Sequence, residues 1–573
     1  MPAIFSRPFR SHGVKASYAD FILSILRANP SLRDTKSYLA SFGHHQPERT
    51  KPSDLLDIST ILPPTGQQEK ESPKLTTEPL KTSPVISSIL NPIYRRTALV
   101  KLQGPFTDKQ LDSIARGMVF LEKLGLVSVM VIEHDKLARG DEGERATIIE
   151  ETMRVVSVLE AHGAKARPVL GTVVRLGPMP RDREDPAAHD VPPPEAHVFP
   201  TDLVPIRSSL RAGEIPVLPP FALDSFCRSV RIDANDVIAA LPPDPHADYS
   251  EDINLVPLRL MIINREGGVP SYARSGYPHL LINLSSEYDF IRDTFEPSWL
   301  KERPSALSNL RLARTCLSYM PPASSAIMVS HRSSSSLIAN LITNKPAVSS
   351  SLPHALLQGN RKLAPETPTL IRRGQSIQVV RSLAHVNRAK LTHLLETSFG
   401  RTLDVAPFYE RLEKYLDFVI VAGDYVGAAI VTNEPGPDQC SPPISYLDKF
   451  AVLPSHQGDG TVDFLWVALH DETYGLGHPF SVNPNGGKEG KGEGRDLVWR
   501  SRADNKVNRW YFDRSSGHMR MGSWVLFWCD AEKRLKQEES QRADSGLSYV
   551  ESWEAGRLEQ WADVVTTIPS AWK

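Results

Sequence analysis

Between Thr97 and Ile282 short apolar runs alternate with stretches whose apolar residues recur at helical spacing, and this alternation restricts the fold more than any other feature. Thr97-Ala-Leu-Val-Lys101 reads as a strand. Thr107 and Gln110 form a capping box ahead of a helix with Leu111, Ile114, Met118 and Leu121 on one face, ended by Gly125. Leu126 to Ile132 is an unbroken apolar run of the buried-strand type. A helix follows from Arg145 to His162, with Ile149, Met153, Val156 and Leu159 on one side, and then a strand at Val169-Leu170. A proline-rich insertion, Pro178 to Pro205, interrupts the pattern. It resumes with a strand at Gly213 to Val217, a helix near Asp233 to Leu241, and strands at Leu258 to Ile263 and Leu280 to Ile282. Strand–helix alternation at this spacing predicts a parallel α/β sheet.

At 573 residues the chain has room for two domains with irregular extensions, which its 47 prolines also predict. Serine-rich stretches at Ser333–Ser336 and Ser349–Ser351 mark a boundary zone. Beyond it a helix is expected from Asn387 to Phe399, then strands Phe418–Ala422 and Tyr425–Val431 joined by a tight turn at Gly423-Asp424. Tyr446–Val452 is a further strand, Phe464–His470 a helix, and Leu497–Ser501 and Trp524–Trp528 the last strands. The resulting division is 1–43 presequence region, 44–94 proline- and serine-rich linker, 95–331 first domain, 332–370 inter-domain region and 371–573 second domain.

A net charge of −1 supplies no field for nucleic acid, and no run approaches eighteen apolar residues, so neither a nucleic-acid partner nor a membrane span is expected. Cys227, Cys316, Cys440 and Cys529 stand singly, without zinc-ligand spacing, and read as reduced, buried thiols with no metal. Met1 to Ala19 carries Arg7, Arg10 and Lys15 and no acid before Asp20. An apolar helix face, Phe21 to Leu26, follows. This is the pattern of an organellar presequence, with a disordered basic tail as the alternative.

The chemistry concentrates in the last third. The Tyr446–Val452 strand runs into Gln457-Gly-Asp-Gly460, a glycine-containing turn ahead of a helix, where backbone N–H groups can hold an anion. Arg500 and Arg502 alternate on one strand and can share a face, and guanidinium forks suit carboxylates. Lys449 and Arg401 add charge. The helix–hairpin–strand–turn–helix order resembles the GNAT acetyltransferase fold. Gln457-Gly-Asp-Gly460-Thr-Val462 is similar to its Q/R-x-x-G-x-G/A loop, with Val462 departing at the last position. With Tyr-Leu-Asp-Lys-Phe before the loop, Trp499-Arg-Ser-Arg-x-x-Asn505 and Asn508-x-Trp-Tyr-Phe512 after it, the region from Ile377 to about Asp530 resembles N-acetylglutamate synthases of the fungal mitochondrial type.

That resemblance implies transfer of an acetyl group from acetyl-CoA, a co-substrate and not a permanently bound cofactor, to the amine of L-glutamate in the mitochondrial matrix. It implies Tyr511 as acid for the CoA thiolate and Asn505 as an orienting, substrate-binding residue. Arg401, Lys449, Arg500, Ser501 and Arg502 would bind substrate. Phe450, Ala451, Val452, Gln457, Gly458, Asp459 and Gly460 would receive CoA, with backbone N–H groups near Phe450 to Val452 facing the oxyanion. The family has Lys at the Arg401 position. Taken alone, Tyr511 between Trp510 and Phe512 would read as core packing. The base for the amine stays open between water and a backbone carbonyl.

In the first domain Lys101-Leu-Gln-Gly104, Gly213–Val217 and Gly267-Gly268-Val269 resemble the amino-acid kinase fold. Gln103 replaces the first glycine of Lys-x-Gly-Gly, implying a non-catalytic relative. In the family this domain binds L-arginine, the pathway's end product, as feedback inhibitor, here near Glu287 and Tyr288. The resemblance also implies a homo-oligomer and a complex with acetylglutamate kinase. Two other readings are a silent arginine-sensing subunit and an active kinase fused to a degenerate acetyltransferase. The first is disfavoured by Arg500, Arg502, Asn505 and Tyr511, the second by Gln103. The Gly/Lys/Glu-rich stretch from Asn483 to Gly494 has no strand-to-helix context and reads as a solvated insertion.

Overall fold

A computed structural model describes residues 96–123, 125–177, 196–241, 257–332, 344–346, 348–352, 363–436, 443–478, 492, 494–530 and 552–573. The presequence region, the 44–94 linker, residues 178–195 of the insertion, Cys440 and the glycine-rich stretch apart from Gly492 and Gly494 lie outside them.

The first half is built in the order β1 (Arg96–Gly104), α1 (Asp108–Lys123), β2 (Leu126–His134), α2 (Glu144–Ala161), β3 (Ala166–Pro168), β4 (Val174–Leu176) and β5 (Ala196–His197). Next come α3 (Val204–Ala212), β6 (Ile215–Leu218), β7 (Phe221–Leu223), β8 (Ser229–Arg231), α4 (Ala234–Ala240), β9 (Pro257–Asn264) and β10 (Leu281–Asn283). Then follow α5 (Leu284–Asp293), α6 (Pro297–Glu302), α7 (Ala306–Tyr319), β11 (Ser325–Ser330) and β12 (Thr369–Arg372). Among the described residues an eight-stranded sheet runs β10-β12-β11-β9-β1-β2-β6-β3, beside a small sheet β5-β4-β7-β8. From β11 through β3 the large sheet is parallel, and β12 reverses against β11. Leu99, Val129 and Val131 pack on one face, and Val100, Leu102 and Ile132 on the other. Burial on both faces explains why these strands read as continuous apolar runs.

Several local expectations shift. The capping box is present, with the Thr107 N–H donating to Gln110 Oε1 at 2.9 Å. The buried side of α2 is Ile148, Thr152, Val155, Val156 and Leu159, while Met153 is 41% exposed. Thr152 can face the core because its hydroxyl donates to the Ile148 carbonyl at 2.7 Å, so a polar residue hid the true face. The strand placed at Val169-Leu170 lies three residues earlier, at β3. Pro205 opens α3 instead of closing an irregular insertion, and Gly213 (φ 74°) terminates that helix before β6 begins. The boundary expected at residue 371 falls inside β12, which pairs with β10 and β11 of the first sheet. Cys316 and Cys529 are buried as expected, but Cys227 is exposed.

The second half contains β13 (Ile377–Val380), α8 (Arg388–Phe399), α9 (Val405–Tyr415), β14 (Leu416–Ala422), β15 (Gly427–Glu434) and β16 (Ile444–Val452). It continues with α10 (Thr461–His470), β17 (Leu497–Arg502), α11 (Asn508–Phe512), β18 (Gly517–Met521), β19 (Trp524–Cys529) and α12 (Ser552–Thr567). Its seven strands order as β13-β14-β15-β16-β17-β19-β18. They are antiparallel except for β16 and β17. Alternation along β14 sends Phe418 and Ile420 to one side of the sheet and Val419 and Val421 to the other. The β14–β15 turn takes four residues, Gly423 to Val426, with both Gly423 (φ 53°) and Tyr425 (φ 59°) left-handed, where a two-residue turn was expected. Helices α9, α11 and α12 and strands β13 and β18 were not foreseen.

The two sheets meet. Leu281 and Phe464 belong to one buried cluster, and Arg372 on β12 donates to the Gly458 carbonyl at 3.3 Å. Ser349 and Ser351 donate to Asp463 Oδ1 at 2.8 and 2.5 Å and accept from Arg514, each at 2.7 Å. The connecting segment is therefore fastened to the first turn of α10.

Candidate active site

The site grows from one irregular strand. On one edge β16 pairs with β15, but the register slips between Ile430 and Val431, leaving Asp448 as an extra residue. A bulge of this kind re-aims side chains. On the other edge β16 pairs with β17 only at Ser445–Leu497 and Tyr446–Val498, after which the strands part. Backbone groups of β16 beyond Tyr446 are thus left without a partner strand on that side.

Aromatic rings gather at this divergence. Phe450 stacks on Trp510 at 5.9 Å between centroids, Trp466 meets Trp510 edge-on at 4.9 Å, and Trp499 lies 5.3 Å from Tyr511. Tyr511 is buried on α11, which raises its phenol above the ordinary value. Its side chain makes no hydrogen bond among the described residues, and with its value raised the phenol stays protonated at neutral pH.

From Val452 the chain passes through a single turn, Pro454–His456, to Gln457, Gly458 (φ 109°), Asp459 and Gly460 (φ 90°), and enters α10 at Thr461. Both glycines occupy the left-handed region that only glycine adopts without strain. Gln457 Nε2 donates to the Val452 carbonyl at 3.3 Å, and His456 lies 3.0 Å from Asp459. Val462 falls in the first helical turn, so its backbone N–H remains part of the N-terminal array, while its side chain packs on the core. Two carboxylates, Asp459 and Asp463, stand close to this helix start. Arg514 is 3.7 Å from Asp463, and Arg372 stays close enough to both to be influenced by them, although burial draws its pKa down to about 10. The Gln457–Gly460 turn and the first turn of α10 are the groups able to cradle a pyrophosphate.

On the opposite side of the divergence Ser501 accepts from Asn505 Nδ2 at 2.8 Å, and Asn505 Oδ1 accepts from the Val507 N–H at 3.1 Å. Asn508 donates to the Arg502 carbonyl at 2.7 Å. These bonds fix the turn from Arg502 to Asn508. Arg502 forms a two-point pair with Asp504, both bonds 3.0 Å, and that hydrogen bonding holds Asp504 below its ordinary value, with Arg401 contributing at longer range. Lys449 is 12% exposed, its ammonium 2.9 Å from Asp448 Oδ2 and facing the rings of Phe408 and Trp572 at 5.5 and 5.9 Å. Arg411 bonds Asp448 at 2.9 Å and also pairs with Glu434, which accepts from Thr432 at 2.6 Å. Burial works to raise the Asp448 carboxyl, but Lys449 and Arg411 outweigh it and hold it low.

The fold therefore brings Lys449, Ser501, Arg502 and Asn505 to one end of the diverging strands, with Arg401 reaching Asp504 only through a longer-range charge interaction. Phe450 and Tyr511 lie in the ring cluster, and Ala451 and Val452 lead to the Gln457–Gly460 turn. Arg500 departs from the expectation. It shares the strand face of Arg502, but its two terminal nitrogens donate to the Val565 and Ile568 carbonyls, each at 2.6 Å, and the guanidinium lies over Trp524. Its fork is filled by the end of α12. Arg411, Glu434 and Trp572 were not foreseen, because only the fold brings residues so distant in sequence to Asp448 and Lys449. Trp466 was hidden inside an apolar helix, where nothing distinguishes a site ring from a core ring.

The N-acetyltransferase family model described as that of N-acetylglutamate synthase matches residues 378–476 and 491–543. A mitochondrial amino-acid acetyltransferase of Laccaria bicolor is 69% identical over 96% of this chain and 99% of its own length. The corresponding protein of Coprinopsis cinerea is 66% identical over 98% of this chain and 93% of its own. A solved N-acetylglutamate synthase from Neisseria gonorrhoeae, complexed with coenzyme A and N-acetylglutamate, aligns at 16% identity and a TM-score of 0.40, covering 78% of this chain and 93% of its own. With the acetyltransferase-type second domain in place and identity of this level across nearly the whole length, the chain belongs to the mitochondrial amino-acid acetyltransferase family.

Proposed function

We propose that the acyl acceptor is L-glutamate, the donor acetyl-CoA, and the products N-acetyl-L-glutamate and CoA, the entry step of arginine biosynthesis in the mitochondrial matrix. What supports this reading is the placing of Lys449 and Arg502 just past the point where β16 and β17 part, beside the ring cluster that holds Tyr511, with Arg401 acting on Asp504 at longer range. Glutamate presents two carboxylates and one amine, so its site needs cations at two places and an uncharged lane for the amine.

In this reading CoA lays its pyrophosphate on the N-terminus of α10 and its thioester between β16 and β17. The neutral amine of glutamate attacks the thioester carbon, and backbone N–H groups of β16 near Phe450 to Val452 stabilise the oxyanion. As the intermediate collapses the C–S bond breaks, and the thiolate takes the Tyr511 proton. The phenolate recovers one through solvent as the amine nitrogen loses its own. Such positioned acid help is worth about 10²–10⁴-fold. Asn505, tied to Ser501, orients the substrate.

The first domain supports a regulatory role in place of kinase chemistry. The buried Lys101 ammonium donates to Asn309 at 2.8 Å, Asn309 donates to Gln103 at 3.0 Å, and Gln103 donates to Asp135 at 3.0 Å. Burial lowers the Lys101 pKa. The lysine of the kinase-like loop is thus tied to the neutral Asn309, with Glu133, Asp135, Asp233 and Glu266 near enough to favour its charge. We read this domain as the L-arginine sensor. Glu287 on α5 is near enough to Tyr474 in the second domain to add to the burial that raises its phenol, and the two domains are fastened together at Arg372 and Asp463. Assembly into a homo-oligomer and association with acetylglutamate kinase belong to the same proposal.

Thiol release from acetyl-CoA, measured over a panel of amino acids with arginine titrated in, tests the whole reading. Glutamate-dependent release that arginine suppresses is expected. Release with a different acceptor alone, or ATP-dependent phosphorylation of acetylglutamate, refutes it.

A further inference from the structure

Arg500 has the chemistry of a carboxylate ligand, yet both of its terminal nitrogens are spent on backbone carbonyls of Val565 and Ile568. What it holds is informative. After α12 the chain does not leave the domain but turns back across the sheet toward the α8–α9 loop. There the Asp404 N–H donates to the Ala571 carbonyl at 2.9 Å, the Lys573 N–H donates to the Thr402 carbonyl at 3.1 Å, and Leu403 and Trp572 form an antiparallel bridge. The segment is therefore pinned at one end to β17, the strand of Ser501 and Arg502, and at the other to the loop of Arg401. Between these points Trp572 lies 5.0 Å from Phe399 and faces the Lys449 ammonium at 5.9 Å.

We propose that segment 568–572 is a wall of the acceptor pocket and that Trp572 is a specificity-determining residue. Its ring holds the Lys449 ammonium by a cation–π contact opposite Asp448 and limits the length of side chain that reaches from Lys449 to Arg401. Arg500 is a positioning residue that acts through this segment by fixing the end of α12. A backbone-pinned wall suits the purpose, because its place follows from the sheet and the loop and does not depend on side-chain packing alone. This inference rests on the reading of Lys449 and Arg401 as acceptor ligands.

The test uses the full chain and three variants, Trp572→Ala, Trp572→Phe and Arg500→Gln, with the Trp572→Ala/Arg500→Gln double variant. Each is assayed for kcat and for KM toward glutamate and toward acetyl-CoA, with aspartate, glutamine and 2-aminoadipate as rival acceptors. Trp572→Ala is expected to raise the glutamate KM about tenfold, to leave the acetyl-CoA KM within about twofold, and to raise the relative rate with 2-aminoadipate. Trp572→Phe keeps an aromatic face and stays within about threefold of the parent. Arg500→Gln reproduces the alanine effect, and the double variant is no worse than either single one, because both act through one segment. An unchanged glutamate KM and acceptor ranking in Trp572→Ala overturns the wall. Additive losses in the double variant overturn the role given to Arg500 and make it a direct carboxylate ligand. Should Trp572→Ala fail to fold, the phenylalanine and Arg500 variants carry the same comparison. If the panel shows another amino acid as the acceptor, the glutamate reading falls, and the same ratios measured with that acceptor decide the wall separately.

Discussion

Replacing Asp448 by Asn tests whether the bulge exists to bury a charge network. Side chains of Asp448, Glu434, Arg411 and Lys449 are only 3, 6, 13 and 12% exposed, so two anions and two cations balance away from water. Asp448→Asn keeps the shape and removes one negative charge, leaving Lys449 with no carboxylate in contact and Arg411 with Glu434 alone. Breaking a buried pair from one side costs about 3–5 kcal/mol, which for a domain of this size lowers Tm by roughly 6–20 °C. The pH dependence follows from the sign of the shift. Asp448 is depressed in the folded protein, so its stabilising contribution is complete above the unfolded carboxyl value and is lost as pH falls through the lower folded one. From pH 7 down to about 5 the difference between parent and variant is therefore constant, and it shrinks toward pH 3. Thermal melts over that range, with Asp448→Asn, Arg411→Met and the pair as a double-mutant cycle, give the coupling directly. A loss below about 1 kcal/mol at pH 7, the worth of an exposed pair, would refute the reasoning.

Three further outcomes are expected. Tyr511→Phe should lower kcat by about 10²-fold or more while both KM values stay near those of the parent. Because burial raises the phenol, the parent's kcat should show no downturn from this group up to pH 10, and a loss of rate centred near pH 8 would contradict the assignment. Gly460→Ala places a Cβ 3.1 Å from Leu281 and 3.3 Å from Phe464 at φ +90°. It should raise the acetyl-CoA KM and cost about 1–3 kcal/mol in melts, whereas an unchanged acetyl-CoA KM would remove this turn from CoA binding. Arg274 is wholly buried and, among the described residues, none of its three guanidinium nitrogens has a hydrogen-bond partner; Glu287 acts on it at longer range, and although burial lowers its pKa to about 10 it stays charged at neutral pH. Arg274→Met should therefore raise Tm, by the equivalent of about 1–4 kcal/mol, and a clear fall would count against an unpaired charge.

Residues 457–460 were legible because a left-handed turn demands glycine and a helix start demands little else, so the motif survives as a string. Tyr511 enters the proposed site only through its neighbours in the sequence, since a buried tyrosine among aromatic residues carries no mark of its own. Arg500 shows the opposite limit. Strand alternation correctly put it on the face of Arg502, but nothing local to β17 announces that a helix from beyond residue 552 delivers two carbonyls to its fork. The α2 face failed for a related reason, because Thr152 hides in the core by bonding its own helix.

What the sequence determines by itself is therefore whatever depends on near neighbours: the parallel sheet of the first domain, read from strand–helix alternation, the caps of α1 and α8, the glycine turn before α10, and the charge types available for an acidic acceptor. Tertiary structure decides how those charges are used. The slip at Asp448, the parting of β16 from β17, the pairing of Arg411 with residues 23 and 37 positions away, and the return of Trp572 over Lys449 arise from contacts between distant segments. Their energies depend on burial, which a string of residues does not carry.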